Sequence, residues 1–258
     1  MTTMTKMRPV GWNSPPLSAS HLKELDIQGF IIFRGALRIT EHDREALLRM
    51  ARPSTGKTKV IFNAETEGNV SIHSGDGRRS QLFLDESPGV RVAQDVSRRF
   101  KAFAASKLPN HVPNSPVLIR SEPGCAVQPP HCDADLTAAS VASACTTSAT
   151  RFAPCAMLVA IQEGSYFDAW PNTPELMRTS ALRLCAAPAE SVPHVLVFLQ
   201  PGDVILFRGD LVHAGSAYTK ANTRFHMFLD HATIPRHPDV TFPIASMAPA
   251  VSRLLQIP

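Results

Sequence analysis

The sequence predicts an α+β, mainly β fold: a sandwich or jelly roll with helices packed on one outer face. From residue 116 onward, short β-rich segments follow one another: PVLIRS, AVQPPHCDADL, CAMLVAIQ, HVLVFLQ, DVILFR and RFHMFLDHA. Turn signals such as E-P-G and Q-P-G-D separate them, the pattern of two packed antiparallel sheets. Before residue 110 the apolar spacing is helical instead, and helices segregated in this way cover one face of a sheet. Proline outnumbers glycine, 22 to 13, which speaks against a helical bundle.

Taken in order, residues 1–18 form a polar arm, after which Ser18 or Ser20 caps a short helix over HLKELDIQ. GFIIFRG (29–35) is an apolar strand between glycines. Thr40, with Asp43 three residues on, opens the amphipathic helix ITEHDREALLRMAR. In PSTGKTK (53–59) the G-K-T resembles the end of a phosphate-binding loop. The glycine needed five residues before Gly56 is Ala51, so the stretch reads as a turn before a strand KVIFN. Residues 64–87 are polar and glycine-rich and predict a long loop or irregular hairpin, with Arg78 and Arg79 in solvent or, alternatively, in a lid. Residues 89–108 form a scaffold helix with Val92, Val96, Phe100 and Phe103 at helical spacing. One domain is expected over 19–240, with its β core at about 116–232 and a tail at 241–258.

Bulk properties narrow the function. The 258 residues carry a net charge of +4, from 26 basic and 22 acidic residues, too little for a strong nucleic-acid footprint. Five cysteines without a C-x-x-C pair argue against a disulfide framework or structural zinc and suit reduced thiols in the cytoplasm, with the nucleus or an organelle as alternatives. The N-terminus lacks the apolar core of a secretory signal, and no apolar run approaches the ~18 residues of a membrane span.

The chemistry concentrates in QPPHCDADL (128–136). In an extended segment His131 and Asp133 project to one face and Cys132 to the other; Asp135 shares the His131 face. An imidazole and a carboxylate together are two-thirds of a facial metal triad. The third ligand is sought downstream, where His213 follows a Gly-Asp turn and precedes the small residues Ala214 and Gly215. His226 is a rival, but Arg236, ten residues beyond it, sits in IPRHP, where prolines disfavour a central strand. Two histidines and a carboxylate with open positions suit non-haem Fe(II). A 2-oxoacid chelating such a metal needs a cation for its far carboxylate, ideally a guanidinium. Arg224, eleven residues after His213 and opening RFHMFLD, supplies one.

H-x-D at 131–133, then G-D-x-x-x-F-x-x-x-x-x-H ending at His213, then Arg224, in this order within a β-rich half, resemble the Fe(II)/2-oxoglutarate-dependent dioxygenase superfamily. The His-to-Arg spacing and the GFIIFRG opening most resemble its phytanoyl-CoA dioxygenase-like branch. The resemblance implies a double-stranded β-helix (jelly-roll, cupin-like) core. It implies His131, Asp133 and His213 as the catalytic iron ligands, Asp133 being favoured over Asp135, and Arg224 as the 2-oxoglutarate anchor. O2 is the oxidant, ascorbate a possible reductant, and 2-oxoglutarate leaves as succinate and CO2 while a small molecule or an amino-acid side chain is hydroxylated. Ser216 matches a second cosubstrate contact, one residue later than the branch pattern. Arg120 either faces the pocket and binds an anionic group or snorkels outward. Asp135, Gln128, Gln162 and His226 are expected behind the metal or on the substrate, with strand-edge bonding or a core role as the alternatives. Tyr166, Phe167 and Trp170 form a substrate wall or a core cap. Loops 64–87 and 137–153 are expected to select the substrate. Two other functions stay open: oxidation of a nucleic-acid base, and a non-catalytic jelly-roll binding module.

Overall fold

A computed structural model of the chain describes residues 15–52, 59–60, 78–84, 91–128, 130–134, 153–173, 194–231 and 242–243. Residues 1–14 of the expected arm, most of the expected tail, Asp135, Arg236, the 53–58 turn and nearly all of the 137–153 loop lie outside these residues; Phe242 and Pro243, expected in the tail, instead pair with Cys132 and His131.

Among the described residues, three helices precede the main β region. Helix α1 (Ala19–Gln28) starts at Ser18, whose hydroxyl accepts from the His21 N–H, and stops at Gly29, whose φ of 87° only glycine adopts freely. Helix α2 (Glu41–Met50) opens with the expected capping box, Thr40 and Asp43 each accepting the other's backbone N–H. Helix α3 (Arg91–Lys107) buries Val96, Phe100 and Phe103 as their spacing predicts. Each such side chain contributes roughly 1.5–3 kcal/mol through burial.

The first strands are β1 (Phe30–Phe33), β2 (Lys59–Val60), β3 (Arg79–Phe83), β4 (His111–Pro113), β5 (Val117–Ser121), β6 (His131–Cys132) and β7 (Cys155–Ala160). They are followed by β8 (Ser165–Ala169), β9 (Val195–Leu199), β10 (Val204–Arg208), β11 (His213–Ala214), β12 (Asn222–His231) and β13 (Phe242–Pro243). The larger sheet runs β1-β10-β7-β12-β5-β3-β2, with β4 beside the far end of β12; the smaller runs β13-β6-β11-β8-β9. All pairings are antiparallel. Strand β3 lies inside the stretch expected to be loop, and Arg79, expected in solvent, is 1% exposed.

Side-chain alternation divides the larger sheet into two buried faces. Leu118, Met157, Val159, Leu206, Phe225 and Met227 pack against the helices through Leu25, Leu47, Val96 and Phe100. Ala156, Leu158, Ala160, Ile205 and Phe207 turn the other way and meet Phe167, Ala169, Val195 and Val197 of the smaller sheet. This is a two-sheet jelly roll with helices on one outer face. Arg224 and His226 of β12 stand opposite Ala160 and Leu158, so both point between the sheets.

Candidate metal centre

Strands β6 and β11 are neighbours in the smaller sheet, and their register sets His213 directly opposite His131. The two imidazole centroids are 4.5 Å apart. Asp133 follows β6 immediately, and its position is set by one carbonyl: Gly209 O accepts from the N–H of Asp133 at 2.8 Å and of Ala134 at 2.9 Å. Gly209 belongs to the Gly-Asp turn that leads to His213. A Cβ there would meet Ala134 Cβ at 2.7 Å and Pro154 O at 3.0 Å, so the close approach requires glycine. Arg208, before the turn, is buried; the carboxylates of Asp210 (2.6 and 2.7 Å) and Asp26 (3.0 Å) hold it charged.

His131, Asp133 and His213 are all buried and offer ligand atoms within 4.8 Å of one another. His131 Nε2 lies 3.9 Å from Asp133 Oδ1, and His213 Nε2 lies 3.6 Å from Asp133 Oδ2. Burial pulls the His213 imidazole down to about 4, against the opposing pull of the Leu211 carbonyl 3.0 Å from Nδ1. The ring is therefore neutral near pH 7. Its Nδ1–H donates to Leu211, which leaves the Nε2 lone pair for a metal. Phe167 stacks on His213 at 5.4 Å and 17°, and Phe207 packs at 4.8 Å. Asp133 Oδ2 is buried and accepts no hydrogen bond from a described residue. A buried carboxylate beside two imidazoles is the donor set of a divalent cation, so these residues fit a first-row metal ion.

Arg224 is 4% exposed. Its Nη1 reaches Ser121 Oγ at 3.2 Å and Asn222 Oδ1 at 3.4 Å, and the guanidinium lies 5.0 Å over the Tyr218 ring. No carboxylate pairs with it among the described residues. Alternate residues of a strand share a face about 7 Å apart, which is the separation of Arg224 from His226. Arg79 braces the neighbouring chain: Nη1 donates to Ser121 Oγ, and Nη2 donates to the carbonyls of Ala126, Gly215 and Ser216. Gln128 Oε1 accepts from Gly215 N at 2.9 Å, while its buried Nε2 donates to nothing described.

Other expected residues fall elsewhere. Arg120 pairs with Thr223, on the helix-facing side of the sheet, and forms two hydrogen bonds to Glu122. Strand alternation thus turns it away from Arg224 and from a pocket role. The Ser216 hydroxyl donates to Asp168, whose other oxygen accepts from His194 Nε2 at 2.8 Å. Asp168 alternates with Phe167 and Ala169, so this cluster sits behind the smaller sheet, and the cosubstrate contact expected of Ser216 does not fit. Trp170 is buried and stacks on His194 at 4.6 Å, a core cap. Tyr166 lies against half-exposed Phe198 at 5.5 Å, on the outer face. Gln162 makes strand-edge bonds, to Ala221 O and from Thr223 N. Ser121, Asn222, Tyr218 and Phe207 escaped the sequence reading, and Arg79 was read as solvated, because cross-strand register and not local spacing brings them here. Tyr218 and Asn222, in the segment between His213 and Arg224, carried a positional signal.

No protein-family model matches the sequence, and no curated protein matches it. Solved structures do. AviO1 from Streptomyces viridochromogenes Tue57 is similar at 16% identity and a TM-score of 0.57, over 85% of this chain and 97% of that one. The non-heme alpha ketoglutarate dependent epimerase SnoN from nogalamycin biosynthesis is similar at 16% identity and a TM-score of 0.56, over 84% of each chain. HygX from Streptomyces hygroscopicus, solved with nickel and 2-oxoglutarate bound, is similar at 14% identity and a TM-score of 0.54, over 85% and 89%. The fold these structures share with the chain is a double-stranded β-helix, the two-sheet jelly roll described above. At these identities the likeness is one of fold, and it does not single out the phytanoyl-CoA dioxygenase-like branch. The same fold spans reaction types, since a non-heme alpha ketoglutarate dependent carbocyclase, SnoK, stands beside the epimerase.

Proposed function

We propose that this chain is a non-haem Fe(II)- and 2-oxoglutarate-dependent dioxygenase, its domain spanning 19–240, that hydroxylates a small molecule or an amino-acid side chain. His131, Asp133 and His213 hold the iron, and Arg224 anchors the far carboxylate of 2-oxoglutarate. One juxtaposition carries this reading. A buried His-Asp-His set shares the space between the sheets with a buried guanidinium that no described carboxylate neutralises. Leaving such a cation unpaired is costly, and a planar carboxylate is its natural partner.

When bound, ferrous iron supplies the redox chemistry that couples O2 reduction to conversion of 2-oxoglutarate into succinate and CO2 and to substrate hydroxylation. The chain's own part is positional. The Leu211 carbonyl fixes the His213 tautomer, the Gly209 carbonyl fixes Asp133, and Phe167 and Phe207 keep water from the imidazole. Ascorbate serves as the reductant that keeps iron ferrous. SnoN, solved with alpha ketoglutarate and nogalamycin RO, supports a small-molecule substrate over a nucleic acid. Cys125, Cys132 and Cys155 are free and buried, which suits the reducing cytoplasm. No described helix is long and apolar enough to cross a membrane.

The test is turnover. Purified protein with Fe(II) is expected to convert 2-oxoglutarate to succinate in an iron-dependent way, and His131→Ala to abolish it. No iron-dependent succinate with any substrate class, together with no stoichiometric iron, overturns the reading.

A further inference from the structure

We propose that His226 is a positioning residue for the Asp133 carboxylate, supplying the hydrogen bond that the oxygen not engaged by the metal requires; this rests on the metal-centre reading above. His226 stands on the inner face of β12, two residues after Arg224, with a side chain 11% exposed. Its cross-strand neighbours, Leu158 and Val117, are aliphatic. Its Nε2 is 3.9 Å from Asp133 Oδ2, the same distance that separates His131 Nε2 from Oδ1. Oδ2 is the orphaned oxygen of the site.

His226 lies outside the set of ligand atoms that are mutually within 4.8 Å. It therefore reaches the carboxylate without joining both imidazoles. Its ring is held edge-on to Phe228, at 4.6 Å and 85°, and lies 6.2 Å from Phe207, which also packs on His213. A carboxylate that ligates a metal through one oxygen has its other oxygen hydrogen-bonded, and losing that partner typically costs 10–100-fold in metal affinity. With His213 Nε2 turned to the metal, His226 Nε2, 3.9 Å from Oδ2, is placed to donate it.

Cobalt(II) serves as the probe, titrated into wild type, His226→Leu and His226→Gln, with the thermal midpoint of each metal-free protein measured alongside. Gln carries an N–H at the reach of Nε2; Leu does not. His226→Leu is expected to weaken cobalt binding by about 10–100-fold while the metal-free midpoint stays near wild type, and His226→Gln to recover most of the affinity. Proton NMR of the cobalt protein is expected to show two shifted, exchangeable imidazole N–H resonances, in wild type and in both variants. Equal cobalt affinity in all three proteins overturns the positioning role and leaves the metal centre standing. A third imidazole resonance, lost in His226→Leu, also overturns it, because His226 is then a ligand. Wild type that binds no cobalt removes the metal centre itself and this inference with it.

Discussion

Arg224 carries a buried charge whose described partners are a hydroxyl, an amide oxygen and an aromatic face. None of these neutralises a guanidinium. In Arg224→Leu the anion loses its partner, a loss that costs about 2–5 kcal/mol at buried charge pairs. Calorimetry on the metal-loaded protein is expected to show 2-oxoglutarate binding weakened to that extent, with metal affinity retained, since Arg224 contacts none of the three candidate ligands. The thiols give a second check at this scale. Burial pushes the Cys155 thiol up to about 12, and Cys132, also buried, is raised well above its ordinary value. Only the thiolate is alkylated readily. Both are thus expected to resist iodoacetamide at pH 8 in the folded protein and to react once it is unfolded, as peptide mass mapping will show.

Among the elements, the Arg208–Leu211 turn does most to shape the centre. Its Gly209 carbonyl places Asp133, its Leu211 carbonyl orients His213, and Arg208 ties its base to Asp26 and Asp210. Gly209→Ala puts a methyl group 2.7 Å from Ala134, and is expected to lower metal affinity more than it lowers the thermal midpoint. Far from the site, the α2 capping box gives a pH-dependent handle. Burial raises the Asp43 carboxyl, but its hydrogen bonds with Thr40 and Arg99 outweigh this and hold it below 3.8. Its contribution is therefore full above 3.8 and is lost as pH falls through the lowered value. Thr40→Ala is expected to cost about 1 kcal/mol near neutral pH. Asp43→Asn is expected to flatten the acid limb of a urea-midpoint series. The box was legible in the sequence because both partners lie within four residues. So were α3, from its apolar spacing, and the long strands β5, β7, β9, β10 and β12. Strand β3 was not: RSQLF follows a polar, glycine-rich stretch, and only pairing with β5 makes it a strand.

Across the whole molecule, two sheets enclose the candidate centre and the helices shield one of them. Phe100, fully buried between α3 and the larger sheet beside Phe225, faces away from the centre. Phe100→Ala is expected to cost about 3–5 kcal/mol of stability in chemical denaturation while leaving the metal affinity of the folded protein unchanged. The candidate ligands and the anchor were legible because His131, Asp133, His213 and Arg224 sit in short motifs with ordered spacing. Their surroundings were not. Arg79 is brought to Gly215 across 136 residues, His226 to Asp133 across the gap between sheets, and Ser216 to Asp168 behind the smaller sheet, and no local pattern encodes such distances. The most direct test of a metal centre joined to a dicarboxylate anchor is optical, with 2-oxoglutarate titrated anaerobically into the Fe(II)-loaded protein. A weak visible charge-transfer band that saturates at one equivalent, is absent in His131→Ala and needs far more 2-oxoglutarate in Arg224→Leu is the predicted result; iron-loaded wild type that shows no band at any 2-oxoglutarate concentration would contradict it.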